Sequence, residues 1–338
     1  MVDVLERSVD SSSFPLGESL GFDPVLEHEW HVVGRSEDVT DRPVPVLLLG
    51  EKIVLWRAAG EIHAARDLCL HRGTRLSIGR VEGDKLVCAY HGWRYNGAGR
   101  CAFIPAQPDR KPPDKAQLRM YHAAERYGWI WVCLGEPGGD VPHIPEWDDP
   151  TYQHVMCGPY EVAAEAPRLV ENFLDVTHFP YVHEGYLGDP DHAALGDYTA
   201  ELTPEGIVTS EIEVWQPDPD GTGVGKSVSY IYKVFRPLVG YFSKVAGGRF
   251  SIFFTVTPVD RRRSVAWMYV CLDYGGMPDE EVRAFQDTIF TQDLDIVLNQ
   301  HPEELPLNLA DELSLRSDRT SIAYRKWLRS LGMTFGTC

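Results

Sequence analysis

The sequence predicts an α+β protein with two parts: a small all-β unit, then a domain whose strands cluster between helices. Three observations carry this. Short strand candidates broken by Gly and Pro fill the first third of the chain. A tract rich in Pro, Gly and Asp (GEPGGDVPHIPEWDDP, 135–150) reads as a connector. Beyond it, longer strand candidates are bracketed by helical stretches instead of alternating with them, which argues against a βαβ repeat.

In chain order, residues 1 to about 27 form a polar lead containing Ser11-Ser12-Ser13. Val44 to Trp56 reads as a hairpin with Gly50-Glu51 at its turn, followed by short strands at 86–88 and 129–133. After the connector, Glu165 to Phe179 reads as a helix that Pro180 ends. Strands are expected at 207–215, 228–234, 250–256 and 265–272, the last two flanking a hairpin tip at Asp260-Arg261-Arg262-Arg263. Two helices follow, at 279–298 and 317–331.

Composition excludes several classes. With 43% hydrophobic and 24% charged residues in 338, the chain has enough apolar material for a packed core. A net charge of −18 argues against a nucleic-acid or anionic-membrane partner, both of which need basic surface. No apolar run reaches membrane-spanning length. The acidic start, with Asp3, Glu6 and Asp10, does not read as a secretory signal, so a cytoplasmic location is expected. In that compartment, paired cysteines more often bind metal than form disulfides.

The chain reads Cys69-Leu70-His71 and, further on, Cys88-Ala89-Tyr90-His91. Two thiolates and two imidazoles in two short pairs suit a [2Fe–2S] cluster held by cysteines on one iron and histidines on the other. Neutral imidazole removes negative charge, so such clusters have potentials of about −150 to +300 mV, against about −400 mV for all-cysteine plant-type ferredoxins. Zinc accepts the same ligand set, but its modules usually open with two cysteines. The blandest alternative treats all four as unrelated core and loop side chains. Gly73 and Gly92, close behind the histidines, let the two loops approach each other. The other five cysteines (Cys101, Cys133, Cys157, Cys271 and Cys338) have no histidine at ligand spacing and read as structural.

A second constellation spans Asn172 to His183, with Asp175, His178 and His183. Asp175 and His178 share a helix face. His178 and His183 would stand about 140° apart on a regular helix, but Pro180 between them breaks the ladder and lets a distorted turn aim both imidazoles at one point. Two histidines and a carboxylate form the facial triad of non-haem Fe(II) oxygenases. Alone, the histidine pair could equally be two helix-end side chains. For the carboxylate, Asp287, Asp293 and Asp295 compete on the 279–298 helix, and spacing does not choose among them.

These residues resemble the α-subunits of Rieske non-haem iron oxygenases (the aromatic-ring-hydroxylating dioxygenase superfamily), from Trp30 to Cys338. Cys69 to Gly73 and Val87 to Tyr95 look like the family's cluster motif, and Asp175 to His183 like its mononuclear iron motif. Gln292 to Pro302 resembles the segment carrying the third iron ligand, and that match selects Asp293. Within the family, Ile104-Pro105-Ala106, Pro145 to Asp149 and the end Leu331 to Cys338 are similar to the saxitoxin-pathway alkaloid hydroxylases.

The resemblance implies a Rieske [2Fe–2S] domain over 28–148 and a helix-grip catalytic domain, an antiparallel sheet with helices, over 149–338. It implies a homotrimer in which electrons cross between subunits, with Asp175 as the bridging carboxylate between His91 and His178 and Asn172 as an amide near the iron. The expected cofactors are the cluster and mononuclear Fe(II), with O2 as co-substrate. No G-x-G-x-x-G motif follows a strand, so a separate NAD(P)H-dependent reductase or ferredoxin is the expected electron donor. The expected activity is hydroxylation of a C–H bond in a small, alkaloid-like molecule. The alternatives are N- or O-demethylation and, in a different class, Rieske electron transfer without oxygenation.

Overall fold

The computed structural model describes residues 22–273 and 276–338. Most of the expected lead, including Ser11-Ser12-Ser13, lies outside the described residues, as do Tyr274 and Gly275.

The first part is all-β. A six-stranded antiparallel sheet runs in the order His31–Arg35, Trp129–Cys133, Met120–Arg126, Glu61–Arg66, Glu51–Ala58, Val44–Leu48. A four-stranded sheet holds Arg80–Glu82, Lys85–Val87, Arg94–Tyr95 and Cys101–Phe103 in sequence order. The 44–58 hairpin turns at Leu49-Gly50, one residue earlier than expected. Both residues take positive φ (52° and 80°), as a tight two-residue turn with matching twist requires. Glu51 is instead the first residue of the returning strand.

The second part is a large antiparallel sheet ordered Gln153–Val162, Arg263–Leu272, Arg249–Asp260, Val239–Val245, Lys226–Arg236, Gly206–Thr209, Ala200–Thr203, with Ile212–Gln216 also pairing with Lys226–Arg236. The strand expected over 207–215 is thus two strands. Two others carry no clear sequence signal. Gln153–Val162 contains Gly158-Pro159, which reads as a break, yet it forms an edge strand, where a missing N–H is tolerated. Val239–Val245 is masked by Gly240, Ser243 and Lys244.

Helix α1 (Ala166–Leu174) packs on the central strands of this sheet, and α3 (Asp279–Val297) packs against α1 and the edge strand. Pro180 does not end the first helix. The helix stops at Leu174 because Asp175 is extended (φ −87°, ψ 128°), and a short α2 (Phe179–Val182) starts afresh with Pro180 in its first turn, where a missing N–H costs nothing. Helix α4 (Arg319–Leu331) ends at Gly332 in the left-handed region. Buried Arg325 and Arg168 share Glu171 and Glu312, tying α4 to α1.

The two parts meet over an apolar seam containing Trp129, Trp131, Ile144, Phe253, Trp267 and Tyr269. Thr257 Oγ1 donates to Val32 O (2.5 Å) and Tyr269 Oη to Tyr127 O (2.7 Å). The amides of Leu49 and Gly50 donate to Pro258 O and Val259 O (2.8 Å each), docking the hairpin turn onto the second sheet.

Candidate metal centres

The two Cys/His loops are built alike. The amide of Cys69 bonds to Thr74 O (2.8 Å) and that of Cys88 to Trp93 O (2.9 Å); Gly73 N returns to Cys69 O and Gly92 N to Cys88 O, both at 3.0 Å. Each closing glycine has positive φ (70° and 68°), which a side chain would strain. Cys69 and Cys88 are buried, with their thiols close together. On the outer side, His71 Nδ1 faces His91 Nδ1 at 3.2 Å, and the His71 ring stacks on Trp93 (4.8 Å, 8°). Burial, with help from Cys88, pushes the Cys69 thiol up, so a metal must draw the thiolate out. Tyr95 Oη lies 3.3 Å from Cys69 Sγ and can donate to that thiolate.

Sulfurs thus gather on the inner side and imidazole nitrogens on the outer. That division fits a diiron cluster whose irons differ in ligand type. The remaining cysteines are free, and Cys338 alone of them is exposed.

The second centre forms where α2 meets α3. His178 Nε2 and His183 Nε2 are 3.2 Å apart, and Asp293 Oδ1 is 3.3 Å from the first and 3.2 Å from the second. A point seen at right angles by all three atoms lies about 2.3 Å from each, near the reach of a transition-metal bond to nitrogen or oxygen. This near-equilateral face fits a metal that keeps open positions opposite. Of the three competing aspartates, Asp293 alone meets the histidines. Asp287 accepts from Tyr160 Oη (2.6 Å) on the exposed side of α3, and Asp295 is exposed.

Burial opposes charge on these groups, but the pairing wins. His178 is driven up to about 9 by Asp175 and Asp293 against desolvation. Asp293 is held at about 2 by the two histidines, again against desolvation. Asp175 accepts from Thr177 N (2.7 Å) and Oγ1 (2.6 Å) while its other oxygen lies 3.4 Å from His178 Nδ1. Against burial, these contacts lower its carboxyl. Asn172 Nδ2 reaches Asp293 Oδ1 at 3.4 Å.

Sequence reasoning assigns no role to Gln292, whose Oε1 lies 2.8 Å from His183 Nδ1 and sets that ring's orientation. Its place directly before Asp293 is the available signal. Sequence reasoning also misses Gln216, Tyr230, Tyr232 and Lys244, which line a cavity of ≈ 610 Å³ that opens on the triad. Strand residues facing a cavity carry no spacing signature of their own.

Comparison with known proteins places the chain among characterised relatives. The profile of the Rieske [2Fe-2S] domain matches residues 29–122, and that of the vanillate O-demethylase oxygenase C-terminal domain matches residues 162–333. Methylxanthine N1-demethylase NdmA of Pseudomonas putida is 32% identical over 320 residues, covering 90% of this chain and 89% of its own. Methylxanthine N3-demethylase NdmB of the same organism is 30% identical, covering 91% and 90%. The structure of NdmA with caffeine superposes with a TM-score of 0.81 at 30% identity, over 90% of this chain and 91% of that one.

Proposed function

The chain belongs to the Rieske non-haem iron oxygenase α-subunits, and on that premise we propose that it oxygenates the C–H bond of an N- or O-linked methyl group on a ring-sized substrate, releasing the methyl as formaldehyde. The observation that carries this reading is the aromatic-lined cavity opening on the His178–His183–Asp293 face, in a chain aligned over nine-tenths of its length with N-demethylases. For a nitrogen-bound methyl, the N-methyl amine, O2, two electrons and two protons give the N–H amine, formaldehyde and one water. Plain hydroxylation of an alkaloid-like carbon uses the same electrons and oxygen; the saxitoxin-pathway likeness that suggests it rests on the sequence features alone.

The family's cofactors are a Rieske [2Fe–2S] cluster and a mononuclear iron, with O2 as co-substrate. We assign Cys69, His71, Cys88 and His91 to the cluster, and His178, His183 and Asp293 to the iron. The chemistry these groups supply when bound is one-electron delivery and O2 activation. The chain does the rest. Gln292 and Asp175 accept from the outer Nδ1–H of His183 and His178, which leaves each Nε2 lone pair free for the metal. Asn172 steadies Asp293 from the cavity wall. The aromatic walls exclude water from the reacting methyl.

Asp175 is a third exposed, which leaves it an edge for a histidine of a neighbouring subunit. That supports a homotrimer with electron transfer between subunits. A separate NAD(P)H-dependent reductase completes the system and suits a cytoplasmic location. The reading divides the chain into a cluster domain over 28–148 and a catalytic domain over 149–338.

The test is reconstitution. Protein purified anaerobically should hold about three irons and two acid-labile sulfides per chain. With a reductase, NADH and a panel of N- and O-methylated ring compounds, it should release formaldehyde and the demethylated ring in equal amounts by mass spectrometry. His178→Ala should keep the cluster's visible spectrum and make no product. Product at the wild-type rate from that variant would overturn the assignment.

A further inference from the structure

Strand Val239–Val245 alternates between two environments. Tyr241 points to the seam side and donates to Glu146, while Gly240, Phe242 and Lys244 lie on the face toward α1 and the cavity. The neighbouring cavity-facing positions are apolar or aromatic: Tyr230 and Phe250, the cross-strand partners of Lys244, and Ile252, Phe254 and Met268. Period-two patterning calls for another apolar residue at 244. A lysine there breaks the local rule, and such breaks concentrate at functional sites.

The Lys244 ammonium is packed within the protein, and burial alone pushes it down to about 8. Among the described residues, no carboxylate lies within ion-pair distance of it. It donates instead to Gln216 Oε1 (3.0 Å) and sits over the rings of Tyr230 (5.3 Å) and Phe250 (5.1 Å). Gln216 is itself buried and fixed by a bond to Tyr230 Oη (2.8 Å). An ammonium has three donors, and the bond to Gln216 occupies one of them. Tyr232, on the same wall, is fully buried with a hydroxyl that has no partner among the described residues. Two acids of the rim are already engaged: Asp220 pairs with Lys226, and Asp218 accepts from Gly223 N.

Ring contacts link this group to the metal face. Phe179 lies 5.8 Å from His183 and 6.0 Å from Tyr230, over which Lys244 sits. Two aromatic rings therefore stand between cation and triad along this wall, and both ends line the same cavity. The geometry points to Lys244, oriented by Gln216, as the anchor for an anionic oxygen group on the substrate, with the reacting carbon held at the triad. This deepens the demethylase reading and rests on it for the cavity being the substrate site.

Direct binding to the holoenzyme tests the anchor without turnover, so its failure is separable from failure of the demethylase reading, which formaldehyde release reports. Benzoate and the isosteric neutral benzamide are the probes, measured by equilibrium dialysis. Wild type should bind benzoate at least about tenfold tighter than benzamide. Lys244→Met and Lys244→Gln should lose that preference, and Lys244→Arg should keep part of it, with the cluster's visible spectrum reporting folding in each. Benzoate binding no tighter than benzamide in wild type overturns the proposal, as does a preference unchanged in both neutral variants.

Discussion

Gln292→Leu isolates one contact at the proposed iron site. In the wild type, Gln292 Oε1 accepts from His183 Nδ1 at 2.8 Å, beside a ring that is 1% exposed. Leucine matches the side chain's bulk but leaves Nδ1–H without a partner where water has little access. A buried donor so orphaned costs about 1–3 kcal/mol. The ring also loses the acceptor that holds its proton on Nδ1, so the tautomer with a free Nε2 is no longer favoured. Both effects fall on the metal-binding state, so the loss should appear as roughly 10–100-fold weaker Fe(II) affinity, the range seen for second-layer partners of metal ligands. Gln292→Glu restores an acceptor and should recover most of it. The assay is competition dialysis of Fe(II) against a chelator after selective removal of the mononuclear iron, with cluster absorption as the internal standard for folding. Affinity in Gln292→Leu within twofold of wild type, with the cluster intact, would refute the orienting role.

Two further outcomes are expected. Asp175→Asn should retain both metals by elemental analysis yet slow turnover by about 10–100-fold, since the amide accepts less strongly from His178 and, in the proposed trimer, carries no charge for a neighbouring subunit's histidine; unchanged turnover would show that the carboxylate is dispensable. Glu165 is pushed up from 4.5 to about 7, first by burial and then by Glu304, and one of its oxygens has no partner among the described residues. Its folded-state pKa exceeds its unfolded value, so its contribution to stability is complete below about pH 4.5 and is lost as pH rises through 7. Glu165→Gln should therefore match wild type at pH 4.5 and be more stable at pH 8 by on the order of 1–3 kcal/mol, read as a Tm gap that widens with pH; a gap independent of pH would exclude this titration as its source.

Much of the candidate site is legible in the sequence because residues suited to hold a metal declare themselves locally. Cys69/His71, Cys88/His91 and His178/His183 sit in short spacings that one loop or one turn can satisfy. Asp293 is not legible in that way, since three aspartates on one helix look alike until the helix is docked and one of them faces the histidines. The cavity residues are less legible still. Lys244 and Gln216 come from different strands and acquire a role only through register. The fold shows the same division. The hairpin and the long helix α3 carry strong local patterns, whereas Pro180 misleads because proline stops a helix in its interior and starts one in its first turn, and the sequence does not say which applies.

The tryptophan-rich seam between the two sheets bears on how such enzymes can be recombined. Each of its indoles would present a broad greasy face to water if either half were produced alone. Grafting a foreign electron-entry module onto this catalytic half therefore means transplanting Trp129, Trp131 and the Leu49-Gly50 knuckle together with the metal loops. A chimera joined only within the 135–150 tract would inherit mismatched surfaces, and should be recovered as aggregate instead of as a coloured, active protein.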